Sequence, residues 1–162
     1  MEMRQYVGTK IIKATPMTLG EYNTYRGWKM PADEDGLEAG YLIEYADGHL
    51  NHRDSWSPKN VFDISYMPTT GMSFGLAIEA MKLGCKVSRK GWNGKGIFLR
   101  LSHPGMRNPM TEPFIYIDTT GLESNDPACA KCKVPWLASQ MDMLATDWEI
   151  HKNEILHYNH PV

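Results

Sequence analysis

The segment Arg89-Lys-Gly-Trp-Asn-Gly-Lys-Gly96 gathers cations, an indole, an amide and flexible glycines into one short stretch. That mixture suits a nucleotide. An indole can stack on a base, an amide and backbone N–H groups can meet base edges or phosphates, and cations can neutralise charge. The same composition also describes a glycine-rich hairpin with a half-buried tryptophan and no ligand, so the segment alone leaves both readings open.

Catalytic constellations are harder to find. No G-x-S-x-G elbow is present, and no cysteine has a persuasive histidine partner nearby. The glycines of 91–96 match neither the Walker pattern nor a dinucleotide fingerprint, and no helix start follows them. Asp142 and Asp147 could form an acid/base pair or hold a hard cation. Five positions apart on a short helix, however, they fall on different faces, which reads as a helix cap and a last-turn surface residue. Cys129-Ala-Lys-Cys132 has the spacing of half a zinc site, but no second pair follows. Cys85 is distant and expected to be buried behind a helix, and His151, His157 and His160 fall in a loose carboxy-terminal stretch. No catalytic residue, metal or cofactor is therefore expected.

These residues need elements to carry them. Pro68-Thr-Thr-Gly71 is turn-rich and separates two differently patterned halves. The expected organisation is an amino-terminal α+β accessory module over 1–70, a ligand-binding domain over 71–151 and a tail over 152–162. In the first module, Tyr6 to Ala14 is a β-rich run, and Thr18-Leu-Gly-Glu21 is a capping box opening a helix toward Arg26. Tyr41 to Tyr45 alternates as a strand, Asp47-Gly48 signals a hairpin turn, and His49 to Trp56 is the returning strand. Ser57 caps a helix with Pro58 at its first position, carrying Val61, Phe62 and Tyr66. Trp28 and Trp56 are expected in its core.

In the second domain Ser73 caps a helix whose inward face is Phe74, Ala77, Ile78 and Met81, ended by Gly84. Strands are predicted at Lys86–Arg89, Ile97–Leu101 and Phe114–Asp118, as an antiparallel meander. Thr119 to Lys133 reads as an extended hairpin loop. Ser139-Gln-Met-Asp142 opens a capped helix with Met141 and Leu144 facing inward, and Trp148-Glu-Ile150 closes the sheet, with Trp148 in the core. The fold class is α+β: a small antiparallel sheet packed with short helices, preceded by a smaller α+β module.

The chain has 162 residues, 42% of them hydrophobic and 22% charged, a globular balance. Its 17 Lys plus Arg against 19 Asp plus Glu leave a net charge of -2, which provides no general field for a phosphate backbone, so no nucleic-acid polymer is expected as partner. The longest apolar runs, such as Ile97-Phe-Leu99, fall far short of the roughly 20 residues a spanning helix needs. Three cysteines, an odd number, argue against a disulfide framework. A cytoplasmic, non-membrane protein is the expectation.

Three ordered stretches, Met72 to Gly84, Val87 to Gly94 and Pro135 to Glu149, together closely resemble the small phage domain of the second Thoeris anti-defence family. The resemblance covers roughly Met72 to His151. It implies a viral sponge that sequesters, without cleaving, cyclic nucleotide-derived immune signals in the cytoplasm of the infected bacterial host. The signals it implies are chiefly a glycocyclic ADP-ribose, with cyclic dinucleotides of another defence system for some members. It also implies homo-oligomers, typically tetramers, with ligands at subunit interfaces. Carried over residue by residue, it makes Trp92, Asn93, Trp136, Ser139, Gln140 and Asp142 candidates for ligand contact, with Arg89 and Lys90 beside them. In that reading Trp92 and Trp136 stack on bases, Asn93 and Gln140 read edges or ribose hydroxyls, and Asp142 accepts from ribose or an adenine amino group. The chain departs from shorter members in the Thr119 to Lys133 insertion, which could fold over the pocket, and in its amino-terminal module.

Two other classes compete with the sponge. A phosphodiesterase or glycohydrolase using Asp142, Asp147 or a histidine predicts product in excess of protein. A structural or interaction module predicts no small-molecule ligand.

Overall fold

In the computed structural model, residues 5, 8–45, 53–105, 109–126 and 128–151 are described. The chain divides into two compact units between Met67 and Pro68, each with its own sheet.

The first unit is a three-stranded antiparallel sheet in the order β1 (Lys13–Thr18), β2 (Ala39–Tyr45), β3 (Arg53–Pro58). Helix α1 (Leu19–Arg26) follows β1 directly. Thr18 caps it as the sequence predicts: its hydroxyl accepts the Glu21 N–H, and the Glu21 carboxylate accepts the Thr18 N–H at 2.8 Å. Gly27 stops the helix in the left-handed region at φ 68°, where only glycine is unstrained. Tyr22 and Tyr25 tie α1 to β3 by donating hydroxyls to the Asp54 carbonyl and carboxylate. Helix α2 (Lys59–Ser65) packs against the sheet through Phe62, which stacks on Tyr41 at 4.0 Å.

Several local expectations for this unit require correction. The first strand begins at Lys13, so the β-rich run from Gly8 to Ile12 is not in the ladder, and Tyr6 and Val7 lie outside the described residues. Ser57 and Pro58 belong to β3, paired with Tyr41 and Gly40; Pro58 takes the cap position without a side-chain bond, and α2 starts at Lys59. Val61 is exposed, and Tyr66 is the residue that ends α2. Trp28 is 54% exposed, its ring covered by the Arg26 guanidinium at 4.6 Å, a cation–π contact that leaves it outside the core. Trp56 is half-buried, donating its indole N–H to the Met17 carbonyl. The Asp47-Gly48 turn and His49 to His52 lie outside the described residues.

The second unit is a five-stranded antiparallel sheet in the order β7 (Lys133–Pro135), β6 (Phe114–Asp118), β5 (Phe98–Ser102), β4 (Val87–Arg89), β8 (Trp148–Ile150). The meander β4-β5-β6 is the one predicted, and β8 closes the sheet beside β4 with Val87 opposite Ile150 and Arg89 opposite Trp148. Helix α3 (Phe74–Lys82) lies across β4, β5 and β8. Ser73 caps it, accepting the Leu76 N–H, and Gly84 follows its last turn at φ 89°. Ala77, Ala80 and Met81 turn inward to meet Met72, Val87, Leu99 and Trp148, and Cys85 is buried with them. Each fully buried aliphatic side chain in this core contributes about 1.5–3 kcal/mol.

Three expectations for this unit require correction. The Thr119 to Lys133 hairpin loop joins β6 to β7 as expected, but Lys133 itself is already the first residue of strand β7, which pairs with β6 from Asp118 to Tyr116. The capped helix at Ser139 is a single turn, α4 (Gln140–Met143), and its Met141 and Leu144 are 77% and 78% exposed, not inward. One turn packed by its cap has no inward face to offer. His151 is not loose: its N–H donates to the Lys86 carbonyl and its ring meets Phe98 edge-on at 5.5 Å.

Candidate functional site

Strand β4 ends at Arg89 and delivers the chain into the turn that carries Trp92. Arg89 forks between two carboxylates: Nε donates to Asp147 Oδ1 at 2.8 Å and a terminal nitrogen donates to Asp142 Oδ1 at 3.0 Å. The guanidinium side chain is only 18% exposed. Asp147, placed by β8 rather than by a helix, also accepts the Gly91 N–H through its other oxygen, and its carbonyl accepts the Lys90 N–H. Asp142 turns its second oxygen to the Ser139 N–H and hydroxyl, completing a capping box. Asp142 keeps its expected cap role, but the two aspartates converge on one arginine, correcting the expectation that they lie on different faces and that Asp147 is a surface residue.

This ionic knot shapes its own electrostatics. Bonds from Asp147 and then Asp142 hold the Arg89 guanidinium even further above its ordinary pKa. Burial pushes the Asp142 carboxyl up, but hydrogen bonds from Ser139 and Arg89 outweigh it and hold the group below the usual carboxylate range. Arg89 does the same to Asp147, against burial and with help from the Gly91 N–H. All three groups stay charged at neutral pH, and their hydrogen-bonding capacity is largely spent on one another.

Beside the knot stands a cluster of rings. Trp148 is fully buried, and its indole N–H donates to the Asp142 carbonyl at 3.0 Å. Trp92 and Trp136 pack edge-on against it at 5.6 and 6.1 Å and against each other at 6.2 Å, while Phe74 from α3 meets Trp148 at 5.3 Å and Trp136 at 6.1 Å. Such edge-to-face contacts exceed simple area burial by about 0.5–1.5 kcal/mol each. Trp92 and Trp136 are half-buried, and among the described residues their indole N–H groups meet no protein acceptor. Asn93, Lys90 and Gln140 are exposed at the rim of the same region of chain.

The structure therefore brings Arg89, Ser139 and Asp142 into one network and Trp92 and Trp136 into one cluster, joined through Trp148. Sequence reasoning named Asp147 and Phe74 but missed their place here, reading Asp147 as a surface residue and Phe74 as ordinary helix packing. The signal for Asp147 was an arginine at a strand end with two acidic residues, Asp142 and Asp147, shortly before the predicted closing strand Trp148–Ile150.

The glycines of the turn have a further task. A Cβ on Gly96, which sits at φ 82°, would lie 2.0 Å from the Gly121 carbonyl oxygen. The Glu123 N–H donates to the Lys95 carbonyl, and Leu122 lies against Gly94. The start of the Thr119 to Lys133 insertion is thus docked on the tip of the Trp92 turn by backbone contact. Within the insertion, an open cleft of about 600 Å³ is lined by polar residues including Thr120, Glu123, Asn125 and Lys131. Among the described residues no group of three or more His, Cys, Asp or Glu side chains is arranged to hold a metal, and no helix is long and apolar enough to cross a membrane.

Residues 72–151, which contain the knot, the ring cluster and the docked insertion, match the family model of the Thoeris anti-defense 2-like domain. Thoeris anti-defense 2 of Bacillus phage SP01 is 36% identical over 94 residues, covering 50% of this chain and 96% of that protein. The chain belongs to the Thoeris anti-defense 2 family.

Proposed function

We propose that this protein is a non-enzymatic sponge: it binds cyclic nucleotide-derived immune signals, glycocyclic ADP-ribose and cyclic dinucleotides among them, and holds them away from defence effectors. Family membership supports the coarser reading, a phage anti-defence role. The observation that carries the finer one is the pair of half-buried indoles, Trp92 and Trp136, packed on the buried Trp148, whose N–H groups meet no acceptor among the described residues. Flat aromatic faces next to exposed amides such as Asn93 and Gln140 favour a base and a ribose over a peptide. A sponge for a scarce signal needs nanomolar affinity, around −12 kcal/mol, which calls for near-complete burial of a ligand of this size.

Burial of that extent is supplied by assembly. Leu137, Met141 and Leu144 are 91%, 77% and 78% exposed within one short run next to Trp136, an apolar surface that fits a second copy of the chain in a homo-oligomer. Leu137→Glu places a charge in that contact and is expected to lower the mass measured by light scattering, with ligand capacity falling in parallel.

The direct test incubates protein with each candidate signal and follows free ligand by chromatography before and after heat denaturation. Ligand that disappears and returns intact fits a sponge. Ligand converted to product identifies a hydrolase, and ligand never depleted favours an interaction module. Trp92→Ala should weaken retention by about 5- to 150-fold, the worth of one base stack at about 1–3 kcal/mol; because it also loses two edge-to-face contacts its melting temperature should fall, so retention is compared at a temperature where the variant is still folded.

A further inference from the structure

We propose that Cys129 and Cys132 are half of a tetrahedral thiolate zinc site that two copies of this chain complete. No ring of the cluster comes from the insertion that holds these residues, and the proposal stands independently of the ligand reading.

Two residues between cysteines is the spacing that lets both sulfurs of a tight turn reach one ion. Here the turn is shaped by side chain to backbone bonds. The Ala128 N–H donates to the Asp126 carboxylate at 2.9 Å and the Cys129 N–H to the Asp126 carbonyl at 3.1 Å. At the other end the Thr119 hydroxyl accepts the Cys132 N–H at 2.9 Å and lies 3.0 Å from the Ala130 carbonyl. The same hydroxyl has the Cys132 carbonyl at 3.1 Å and Cys132 Sγ at 3.8 Å as further acceptors for its single proton, for which a metal-bound thiolate would compete with the two carbonyls.

Both thiols are free and reachable, Cys132 exposed and Cys129 partly so, in contrast to Cys85 in the core. Among the described residues no third ligand gathers with them. Among the described residues one chain thus offers zinc two gathered ligands where a closed structural site requires four, and an identical pair from a second copy is the chemically matched complement. The charge closes as well. Four thiolates around Zn²⁺ carry two net negative charges, and each chain brings one exposed lysine, Lys131, between the two cysteines in sequence. On binding, four Zn–S bonds form and four thiol protons pass to solvent.

The test uses the full-length protein, reduced and dialysed against Zn²⁺, with metal content measured by elemental analysis and coordination by the visible absorption of the Co²⁺ form. The expected result is half an equivalent of zinc per chain, tetrahedral thiolate absorption with cobalt, and loss of both in the Cys129→Ser/Cys132→Ser double variant but not in Cys85→Ser. The double variant changes only loop thiols, so its melting temperature in the presence of chelator should equal that of the parent. One zinc per chain, zinc retained by the double variant, or no zinc taken up while both thiols titrate as free each overturns the proposal.

Discussion

Trp148→Ala is expected to destabilise the second unit by about 3–5 kcal/mol, the usual cost of deleting a fully buried aromatic. The substitution does three things at once. It leaves a cavity between α3 and β8, it removes the surface on which Phe74, Trp92 and Trp136 all rest, and it strips the Asp142 carbonyl of its indole donor. Thermal or urea unfolding monitored by tryptophan fluorescence should show an early transition for this unit. Trp148→Phe restores most of the volume but not the N–H and should recover part of the loss. A transition unchanged by Trp148→Ala would mean that the ring cluster is not the core of the unit.

Arg89→Met is the second large effect, and its origin is electrostatic. Removing the guanidinium leaves Asp142 and Asp147 partly buried without a counter-charge. Breaking a fully buried pair costs about 3–5 kcal/mol and an exposed one about 0.2–1; carboxylates 14% and 32% exposed fall between, at roughly 2 kcal/mol. Because Asp147 also holds the Gly91 N–H, the Trp92 turn should loosen, so ligand retention is expected to fall even under conditions where the variant stays folded. Arg89→Lys keeps the charge but cannot fork, and should behave more like methionine than like arginine.

The same network sets an acid limit. Asp142 and Asp147 have pKa values lowered by folding, so their stabilisation is present above the ordinary carboxylate pKa of about 3.9 and is lost as the pH falls below it through the lowered values. Unfolding of the parent should therefore steepen below about pH 4, and Arg89→Met should flatten that dependence.

Much of this was legible in the residues, for local reasons. Thr18, Ser73 and Ser139 each announce a helix start because the capping bond is made within three residues. The strands β4, β5 and β6 follow from alternation and from the turns between them. Trp92 stands out by type in its turn, Trp136 and Asp142 enter through the family resemblance, and the structure gathers the three in one region. What escaped is what depends on distant partners. Asp147 reads as a helix-end residue until β8 pairs with β4 and carries it to Arg89. Strand β7 is three residues ending in proline and exists only because β6 offers a ladder. Leu144 looks inward on a helical wheel, but α4 stops after one turn, and the wheel never applies. Trp28 satisfies its ring with a neighbouring arginine rather than by burial.

The strand order has a consequence for how the chain is made. Strand β4 lies between β5, which follows it soon, and β8, which is far later in the chain, and the ring cluster needs Trp148 from β8 and Phe74 from α3 together. During synthesis the helix and meander can assemble early, yet their apolar side stays uncovered until Trp148–Ile150 leaves the ribosome. Closing this unit is thus a single late event spanning the whole domain, so its folding should be slow relative to a helical protein of the same size and the half-made unit should be the stage most open to chaperones.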